Sequence, residues 1–357
     1  MLPGLPMSNK LIKKIKQIYF IYPGNINAKT GGYIYEKNII NYSRKKNINI
    51  KSISLSSNYP FPNKQDLNYF LKFLKKIPIQ SIIIIDGLAL EGMFEIFNKL
   101  KKFKIIALIH HPLSLEFKGN ISKKFLKLEK KYFNLIFKFI VTSNETKALL
   151  INNFKITNHK ISVVEPGISR IKKYKYIKKN KLNFLTCGSV IDRKNYLFLI
   201  KVFKDFNSFS INIVGDTSRD IKYYTLIKNY IKKNKLSKKI KFLGKISDSK
   251  LAKLYSQTDF YISVSKYEGF GMSLANSLIV KKPIITFYTK TIHQTLKRKG
   301  IVYFDKFNIK YLQKIIQKNC FNKSNFEIIK KNVKKNNRYF LTPEESAIKF
   351  LNIVKNA

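Results

Sequence analysis

The feature that most constrains the fold is the alternation of short apolar runs with longer amphipathic segments. The apolar runs are rich in Ile, Phe and Val and end at Gly, Pro or Asp, which is typical of buried strands followed by turns. Strands that alternate with helices form parallel sheets covered by helices. The alternation occurs in two series, separated by the Lys- and Tyr-rich stretch 169–181. The sequence therefore predicts an α/β protein of two doubly wound domains that face each other across a cleft.

Domain boundaries follow from the same pattern. A chain of 357 residues is long enough for two domains of roughly 150–180 residues, each with its own core. We expect an N-terminal Rossmann-like domain over 1–168, a linker over 169–181, a second Rossmann-like domain over 182–340 and a terminal helix over 341–357. The sequence Thr342-Pro343-Glu344-Glu345 is typical of a capping box at the start of that helix. We expect the helix to return to the N-terminal domain.

The net charge of +50 suggests binding to a nucleic acid or to an anionic membrane. However, only six of the 70 basic residues are Arg, the usual reader of bases and phosphates, and the lysines are spread along the whole chain. Lys, Asn, Ile, Phe and Tyr have A/T-rich codons, so genome composition accounts for the bias without a partner. We expect no specific nucleic acid; peripheral attraction to an anionic membrane stays open.

The expected location of the protein follows from the length of its apolar segments and from its cysteines. Residues 1–16 have no apolar signal core, and the longest apolar run, Ile82–Leu90, contains Asp86 and is too short to span a bilayer. The two cysteines, Cys187 and Cys320, are far apart and lack metal-ligand spacing, which suits a reducing compartment. We expect a cytoplasmic protein, with peripheral contact at the inner membrane as an extension.

The stretch Ser265–Asn276 is the strongest candidate for a ligand site. It follows the predicted strand Asp259–Val264 and leads into a predicted helix, with Glu268, Gly269 and Gly271 at the junction. In open parallel sheets ligands bind where strands end and helices begin, because the free N–H groups of the helix face a crevice there.

Two features of the first half occupy similar positions. Gly31-Gly32 lies in a predicted loop between the first strand and a helix from about Tyr33 to Lys46. The spacing around Lys29 does not fit a P-loop, because Ala28 stands where a glycine is required. A helix is predicted over 91–101, and the strand after it, Lys104–Ile109, leads directly into His110-His111. An imidazole at that edge can contact a substrate near neutral pH, although a hydrogen-bonded turn is the alternative.

The chain resembles glycosyltransferase family 4, the retaining GT-B enzymes. The resemblance rests on motifs that follow in the same order along nearly the whole chain: Gly31-Gly32, the strand ending at His110, Val164-Glu165-Pro166-Gly167, Phe184–Ser189 with Arg193-Lys194-Asn195, Ile211–Gly215, Ile240–Gly244 and Asp259–Gly271. The resemblance implies that the first domain binds the acceptor and the second binds a nucleotide sugar.

The family's roles can be assigned position by position. The resemblance implies that Glu268 accepts hydrogen bonds from donor-sugar hydroxyls and that His110 lies near the reacting sugar. It implies that Arg193 and Lys194 neutralise the donor diphosphate. The other implied donor-binding positions are Gly31, Gly32, Ile246, Gly269, Phe270, Gly271, Met272 and Asn276, with His111, Ser189 and Lys245 as secondary candidates.

Two positions depart from the family pattern. Asn276 stands where the family has the second glutamate that holds the ribose, so we expect altered ribose binding. Ser189 stands where the family often has arginine, which leaves the phosphates to Arg193 and Lys194.

The resemblance implies transfer of a sugar from a UDP- or GDP-sugar to a hydroxyl of a saccharide or lipid-linked acceptor, with retention, as in cell-envelope polysaccharide or glycolipid synthesis. The nucleotide sugar is a substrate; no cofactor is expected, and no metal, because no Asp-x-Asp motif follows a strand. A GT-B nucleotide-sugar epimerase and a basic polyanion- or membrane-binding protein with a degenerate donor site are the alternatives.

Overall fold

Two six-stranded parallel sheets organise a computed structural model of the chain, which describes residues 17–177 and 180–357. The described residues divide into two units. The first unit comprises residues 17–28, 32–165 and 343–357, and the second comprises 29–31 and the described part of 166–342. The expected fold of two Rossmann-like domains is confirmed at the level of each unit.

The first unit has the strand order β2-β1-β3-β4-β5-β6 with every neighbouring pair parallel. Because the first strand lies inside the sheet, the chain winds outward in both directions from it. The bounds are β1 Ile18–Pro23, α1 Gly31–Lys45, β2 Ile50–Leu55, α2 Lys64–Leu74, β3 Ile82–Asp86, α3 Gly87–Gly92, β4 Lys104–Ile109, α4 Gly119–Tyr132, β5 Lys138–Val141, α5 Asn144–Phe154 and β6 Ile161–Val163.

The second unit has the order β12-β11-β10-β7-β8-β9, again parallel throughout. The switch in winding direction falls between β10 and β7, which are neighbours in the sheet. The bounds are β7 Leu182–Cys187, α6 Tyr196–Phe203, β8 Phe209–Val214, α7 Ile221–Lys233, β9 Ile240–Gly244, α8 Asp248–Gln257, β10 Phe260–Ser263, α9 Met272–Ile279, β11 Ile284–Phe287, α10 Lys290–Leu296, β12 Ile301–Phe304, α11 Ile309–Ile316, α12 Lys323–Lys334 and α13 Pro343–Lys355.

Helix α13 belongs to the first unit, as expected from the sequence. Its side chains Ala347, Phe350, Leu351 and Val354 are buried in one core cluster with the residues of β1 that face the same side of the sheet. Along β1 alternate residues enter clusters on opposite faces, so both faces of the sheet are covered. Burial on both faces explains why these strands are continuous apolar runs.

Two local predictions were wrong. The Gly31-Gly32 pair is the first turn of α1 and not a loop. The helix predicted over 91–101 starts instead at Gly87, where the Asp86 carboxylate accepts the Leu88 N–H at 2.9 Å, and it continues only as a 3₁₀ helix over Phe94–Lys99. The N-cap side chain of Asp86 satisfies a helix N–H group that apolar periodicity does not register.

The described part of the stretch 169–181 has no helix or strand up to Ile177 and packs against the second unit. The Tyr176 hydroxyl donates to Asp259 at 2.5 Å, and the Tyr174 N–H donates to the Ser256 hydroxyl at 3.0 Å. Residues 1–16, for which the sequence predicts the lack of a signal core, lie outside the described residues. Among the residues that the structure describes, no helix is long and apolar enough to cross a membrane.

Candidate functional site

In the second unit, the structure brings together three residues that the sequence singles out. The Lys194 ammonium lies 2.5 Å from Glu268 Oε1, and Arg193 Nη1 lies 3.7 Å from Glu268 Oε2. All three side chains are less than one-fifth exposed, so water screens the charges only weakly. Burial alone would raise the pKa of Glu268, but the two neighbouring cations outweigh it and lower the pKa to about 2. Glu268 is therefore an ionised carboxylate held at a strand end.

Two glycines place Lys194 over the end of β7. Gly188 has φ +151°, and a Cβ there would lie 2.6 Å from Lys194 Cε. Gly215, at the end of β8, also has φ +151°, and a Cβ there would lie 2.0 Å from the Gly188 carbonyl oxygen. The Gly188 N–H donates to the Val214 carbonyl at 2.8 Å. The two strand ends thus approach backbone to backbone, which only glycine permits, and the lysine stem occupies the space above them.

The backbone of the next loop holds Arg193 and orients Glu268. Arg193 Nη1 donates to the Tyr267 carbonyl at 2.6 Å, and the Lys266 N–H donates to the Arg193 carbonyl at 2.9 Å. The Nε atom of Arg193 is buried and has no hydrogen-bond partner among the described residues. Arg193 is therefore held through Nη1, while its Nε lies buried.

Residues 269–272 form the turn between β10 and α9. Gly271 has φ +90° and caps α9 without a side chain, so no side chain takes up the first N–H groups of that helix. The Phe270 carbonyl accepts from the Thr295 hydroxyl at 2.9 Å, and its ring is buried. The N-terminus of α9, which begins at Met272, can bind an anion through its free N–H groups, and the nearby Glu268 carboxylate can accept hydroxyl groups of a ligand.

Lys245 and Ile246 follow β9 in the same unit. Lys245 pairs with Asp216 at 2.7 Å. Burial works against this carboxylate, but hydrogen bonds from Lys245 and Ser218 lower the pKa of Asp216 to about 2. Ile246 is half-buried next to Ser247, which caps α8. Lys245 therefore has a structural partner, an alternative to a ligand role.

Asn276 and Ser189 are the positions that depart from the family pattern. Asn276 lies one turn into α9, and its amide hydrogen-bonds the buried hydroxyl of Tyr255, which also donates to the Ser273 carbonyl at 2.9 Å. The amide is thus built into a buried tyrosine network beside the helix. Ser189 is half-buried directly after Gly188.

In the first unit, His110 lies directly after β4, where the sequence predicts it. Its Nε2 is 3.4 Å from Glu36 Oε1 and 3.6 Å from Asp86 Oδ2. Gly32 makes room for the ring, because a Cβ there would lie 3.1 Å from His110 Nε2. Burial lowers the pKa of His110, opposed by the charges of Asp86 and Glu116. The two carboxyl groups are almost wholly buried, and burial raises the pKa of Glu36 to about 7 and that of Asp86 well above its usual range.

The neighbouring His111 has a different partner. Its Nε2 lies 2.8 Å from Glu116 Oε2. The loop that carries these residues is anchored by a second buried carboxyl pair, since Glu91 accepts the Leu113 N–H at 3.3 Å and Glu129 accepts the Ser114 N–H at 3.0 Å. His111 therefore pairs with Glu116 of the following turn, while His110 faces the carboxyl groups.

Sequence reasoning missed Glu36 and Asp86 as functional candidates. Glu36 is in a helix, where a single carboxylate is expected on the solvent face. Its spacing from Gly32 was a signal, because residues four apart share one helix face. Glu36, Asp86 and His110 are also the one group in the described residues whose potential metal-ligand atoms lie within 4.8 Å of one another. Their contacts are of hydrogen-bond length or slightly longer, which is sufficient to explain the cluster.

Comparison with protein families identifies the second unit. Residues 168–336 match the model of Glycosyl transferases group 1. This segment contains Arg193, Lys194 and Glu268, so the charged group lies inside the part of the chain that matches this family model. The expected resemblance is thereby supported for this segment at the level of Glycosyl transferases group 1.

Two curated relatives resemble parts of the chain. An uncharacterised 41.2 kDa protein in the cps region of Klebsiella pneumoniae is 24% identical over 54% of this chain and 54% of its own length. An uncharacterised glycosyltransferase of Methanocaldococcus jannaschii is 30% identical over 42% of this chain and 39% of its own length. The matched part of the chain thus spans about half or less of each of these relatives.

Solved structures share the whole fold. Sucrose-phosphate synthase from Thermosynechococcus elongatus has a TM-score of 0.77 at 14% identity, covering 96% of this chain and 99% of that one. Anabaena HepE in complex with UDP and glucose gives 0.73 at 13% identity, over 95% and 99%. The lipopolysaccharide glycosyltransferase WaaG gives 0.70 at 13% identity, over 92% and 98%. At these identities the likeness shows the fold alone, and it confirms the two Rossmann-like domains of the GT-B class.

Proposed function

We propose that the protein is a glycosyltransferase that moves a sugar from a UDP- or GDP-sugar to a hydroxyl of a saccharide or lipid-linked acceptor. The observation that carries the proposal is the Lys194–Glu268–Arg193 group at the ends of parallel strands, inside the segment that matches the glycosyl transferases group 1 model. The group combines one carboxylate that can accept sugar hydroxyls with two cations that can bind a diphosphate.

The charges of this group suit a nucleoside diphosphate leaving group. Transfer of the sugar leaves negative charge on the phosphate, and cations fixed in a weakly screened site stabilise that charge most in the transition state. Arg193 and Lys194 together carry two positive charges against one on Glu268, so the group keeps a net charge of +1. Glu268, with its low pKa, remains an acceptor for sugar hydroxyls across the physiological range.

The finer features of the reaction come from the family resemblance. We propose retention at the anomeric carbon, attack by the acceptor hydroxyl with help from the leaving phosphate, no metal and no cofactor. His110 is assigned to the reacting sugar on the same basis. UDP is favoured as the nucleotide because UDP is bound in the HepE structure of the same fold. A role in cell-envelope synthesis is favoured by the cps region of one relative and by the lipopolysaccharide role of WaaG.

A patch in the first unit supports peripheral membrane contact as part of this proposal. Exposed apolar side chains lie on α4 and on loops beside it, among exposed lysines of α4: Phe61, Leu115, Ile121 and Leu126 with Lys123, Lys124, Lys127, Lys130 and Lys131. Apolar groups among lysines suit an anionic lipid surface. We expect the protein to co-sediment with vesicles containing phosphatidylglycerol and Leu126→Asp to weaken this; equal recovery of both proteins would exclude the patch.

The binding step is tested by thermal unfolding of the full chain with UDP, GDP and their sugars. A ligand at about 100 times its Kd stabilises by about 2.7 kcal/mol, which corresponds to a Tm rise of about 5–10 °C for a domain of this size. We expect one nucleotide series to raise the Tm of the wild type and Lys194→Ala to abolish most of the rise. Lys330→Ala, which removes an exposed lysine paired with Glu327, is the matched control.

An epimerase is the second candidate, supported by the carboxyl groups Glu36 and Asp86 beside His110. Conversion of a free nucleotide sugar into its epimer without an acceptor would favour that activity. Binding of polyanions that nucleotide sugars do not affect would favour a basic binding module instead.

A further inference from the structure

The imidazole of His110 presents one nitrogen to two buried carboxyl groups from different elements. Glu36 reaches it from α1 and Asp86 from the end of β3, at 3.4 and 3.6 Å from Nε2. The side chains of both carboxyl residues are at most 3% exposed, whereas the His110 side chain is 23% exposed. The histidine is therefore the accessible member of the group, and the carboxyl groups lie behind it.

The two carboxyl groups share one proton near neutral pH. Two buried carboxylates in contact repel each other, so ionising both is costly. Carboxyl oxygens of the two groups lie within 4.8 Å of each other, and burial raises the pKa of Glu36 to about 7 and that of Asp86 well above its usual range, so one proton stays on the pair. The pair then carries a single negative charge beside Nε2 of His110.

The surroundings leave the ring little freedom. The Thr142 and Thr146 hydroxyls donate to the His110 carbonyl at 3.4 and 3.5 Å, and the Tyr35 ring packs edge-on to the imidazole at 6.1 Å. Gly32 lies against the Nε2 side of the ring. No described residue makes a hydrogen bond to Nδ1 of His110.

We propose that Glu36 and Asp86 are positioning residues that act as one unit: their carboxyl oxygens fix the Nε2–H tautomer of His110, so that Nδ1 keeps the lone pair available to a substrate hydroxyl. The shared proton keeps one negative charge behind the ring. In this arrangement Nδ1 can accept a hydrogen bond from a substrate hydroxyl while Nε2–H stays directed at that charge. The assignment of His110 to the reacting sugar rests on the proposed function; the tautomer does not.

A pair that shares one proton makes a specific prediction about substitutions. Glu36→Gln and Asp86→Asn each leave one carboxyl group, which ionises once its partner is neutral, so each single variant keeps one negative charge beside His110. The double variant keeps none. We therefore expect the pKa of His110 to change little in either single variant and to fall by about one unit or more in the double variant.

The experiment is a pH titration of the imidazole resonances by ¹H–¹⁵N NMR on the full chain without any ligand. The resonances of His110 are assigned as those that disappear in His110→Gln, and the same spectra report which ring nitrogen carries the proton. Glu116 and Glu91 are the other charged groups near the cluster, so Glu116→Gln is compared as well. The exposed Glu95→Gln is the matched control. Amide spectra and thermal unfolding verify that each variant is folded.

The outcomes separate clearly. Nε2–H in the wild type, small effects in both single variants and a large fall in the double variant support the proposal. It is overturned if the double variant titrates like the wild type, if one single variant matches the double, or if elemental analysis finds a stoichiometric divalent cation that Glu36→Gln releases. Because no nucleotide sugar is present, failure of donor binding leaves these results unchanged, and failure here leaves the donor-binding test intact.

Discussion

Replacing Glu268 by Gln tests the electrostatics of the donor-site group directly. The Glu268 carboxylate is 14% exposed and lies 2.5 Å from Lys194, and its pKa falls from an ordinary 4.5 to about 2. At ~1.36 kcal/mol per pKa unit, this difference corresponds to roughly 3 kcal/mol of stability at pH 7. We expect Glu268→Gln to lose about that amount, because it leaves the buried ammonium without a counter-charge.

The loss depends on pH with a definite sign. A carboxyl group whose pKa is lowered by folding stabilises the protein above its unfolded pKa, and the stabilisation disappears as pH falls through the folded value. The difference between wild type and variant should therefore shrink from roughly 3 kcal/mol at pH 7 to about half of that at pH 3. Other titrating groups occur in both proteins and cancel in the difference.

The assay is thermal unfolding of both proteins from pH 7 down to the lowest pH at which the wild type still folds. Glu327→Gln is the matched control, because Glu327 pairs with Lys330 at 2.9 Å but both side chains are exposed. Exposed pairs contribute about 0–1 kcal/mol, so this variant should differ little from the wild type. A Glu268→Gln loss that does not vary with pH, or that is no larger than the control's, would refute the reasoning.

Three further changes have expected outcomes. Gly215→Ala should destabilise the second unit by about 3 kcal/mol or more in thermal unfolding, because its Cβ would lie 2.0 Å from the Gly188 carbonyl oxygen. The control Gly119→Ala has open space around its Cβ and should cost about 1 kcal/mol. Equal losses in the two variants would contradict the backbone contact between Gly215 and Gly188. A carboxyl group with a raised pKa stabilises the folded state only while it keeps its proton, so the Glu36 carboxyl should lower the free energy of unfolding of the wild type as pH rises from about 4.5 to 7. Glu36→Gln should make this decrease smaller. An unchanged pH profile would argue against a raised pKa at Glu36. Tyr176→Phe should lower the free energy of unfolding by about 1–2 kcal/mol, because it removes the hydrogen bond to Asp259. Thermal unfolding measures this loss, and an unchanged stability would show that the hydrogen bond to Asp259 does not hold the linker.

The sequence was sufficient to predict the fold because the central strands, such as β3 and β10, are buried on both faces. Runs such as Ile82–Ile85 and Lys104–Ile109 are apolar enough to be recognised singly, and their alternation with helices implies a parallel sheet. The final helix was also predictable, since Pro343 marks its start and its buried face repeats at helical spacing.

Helix starts were less predictable, because they depend on single polar groups. Asp86 begins α3 through one hydrogen bond to Leu88, and Gly31-Gly32 enters α1 although glycine disfavours helices. Both cases reflect tertiary requirements: Asp86 also faces His110, and Gly32 makes room for that ring.

The candidate site was predictable where it follows a motif and unpredictable where it depends on long-range pairing. The placement of Lys194 and Glu268 in one site was implied by two strand-end motifs, but their direct ion pair was not predicted. Glu36 could not be recognised, because a buried carboxylate on a helix becomes visible only once Asp86 and His110 are placed beside it. The same holds for the pairing of Asn276 with Tyr255.

The most direct test of the proposed function is the release of nucleoside diphosphate from a panel of UDP- and GDP-sugars, with and without saccharide or lipid-linked acceptors. Wild type should release the diphosphate from one donor, faster with an accepted acceptor, and Glu268→Gln should reduce that rate by about 100-fold or more, as expected for the loss of a charged contact worth about 3 kcal/mol in the transition state. The Glu327→Gln control should keep the wild-type rate. Equal rates for wild type and Glu268→Gln, or no release from any donor by a folded protein, would contradict the assignment of sugar transfer to this site.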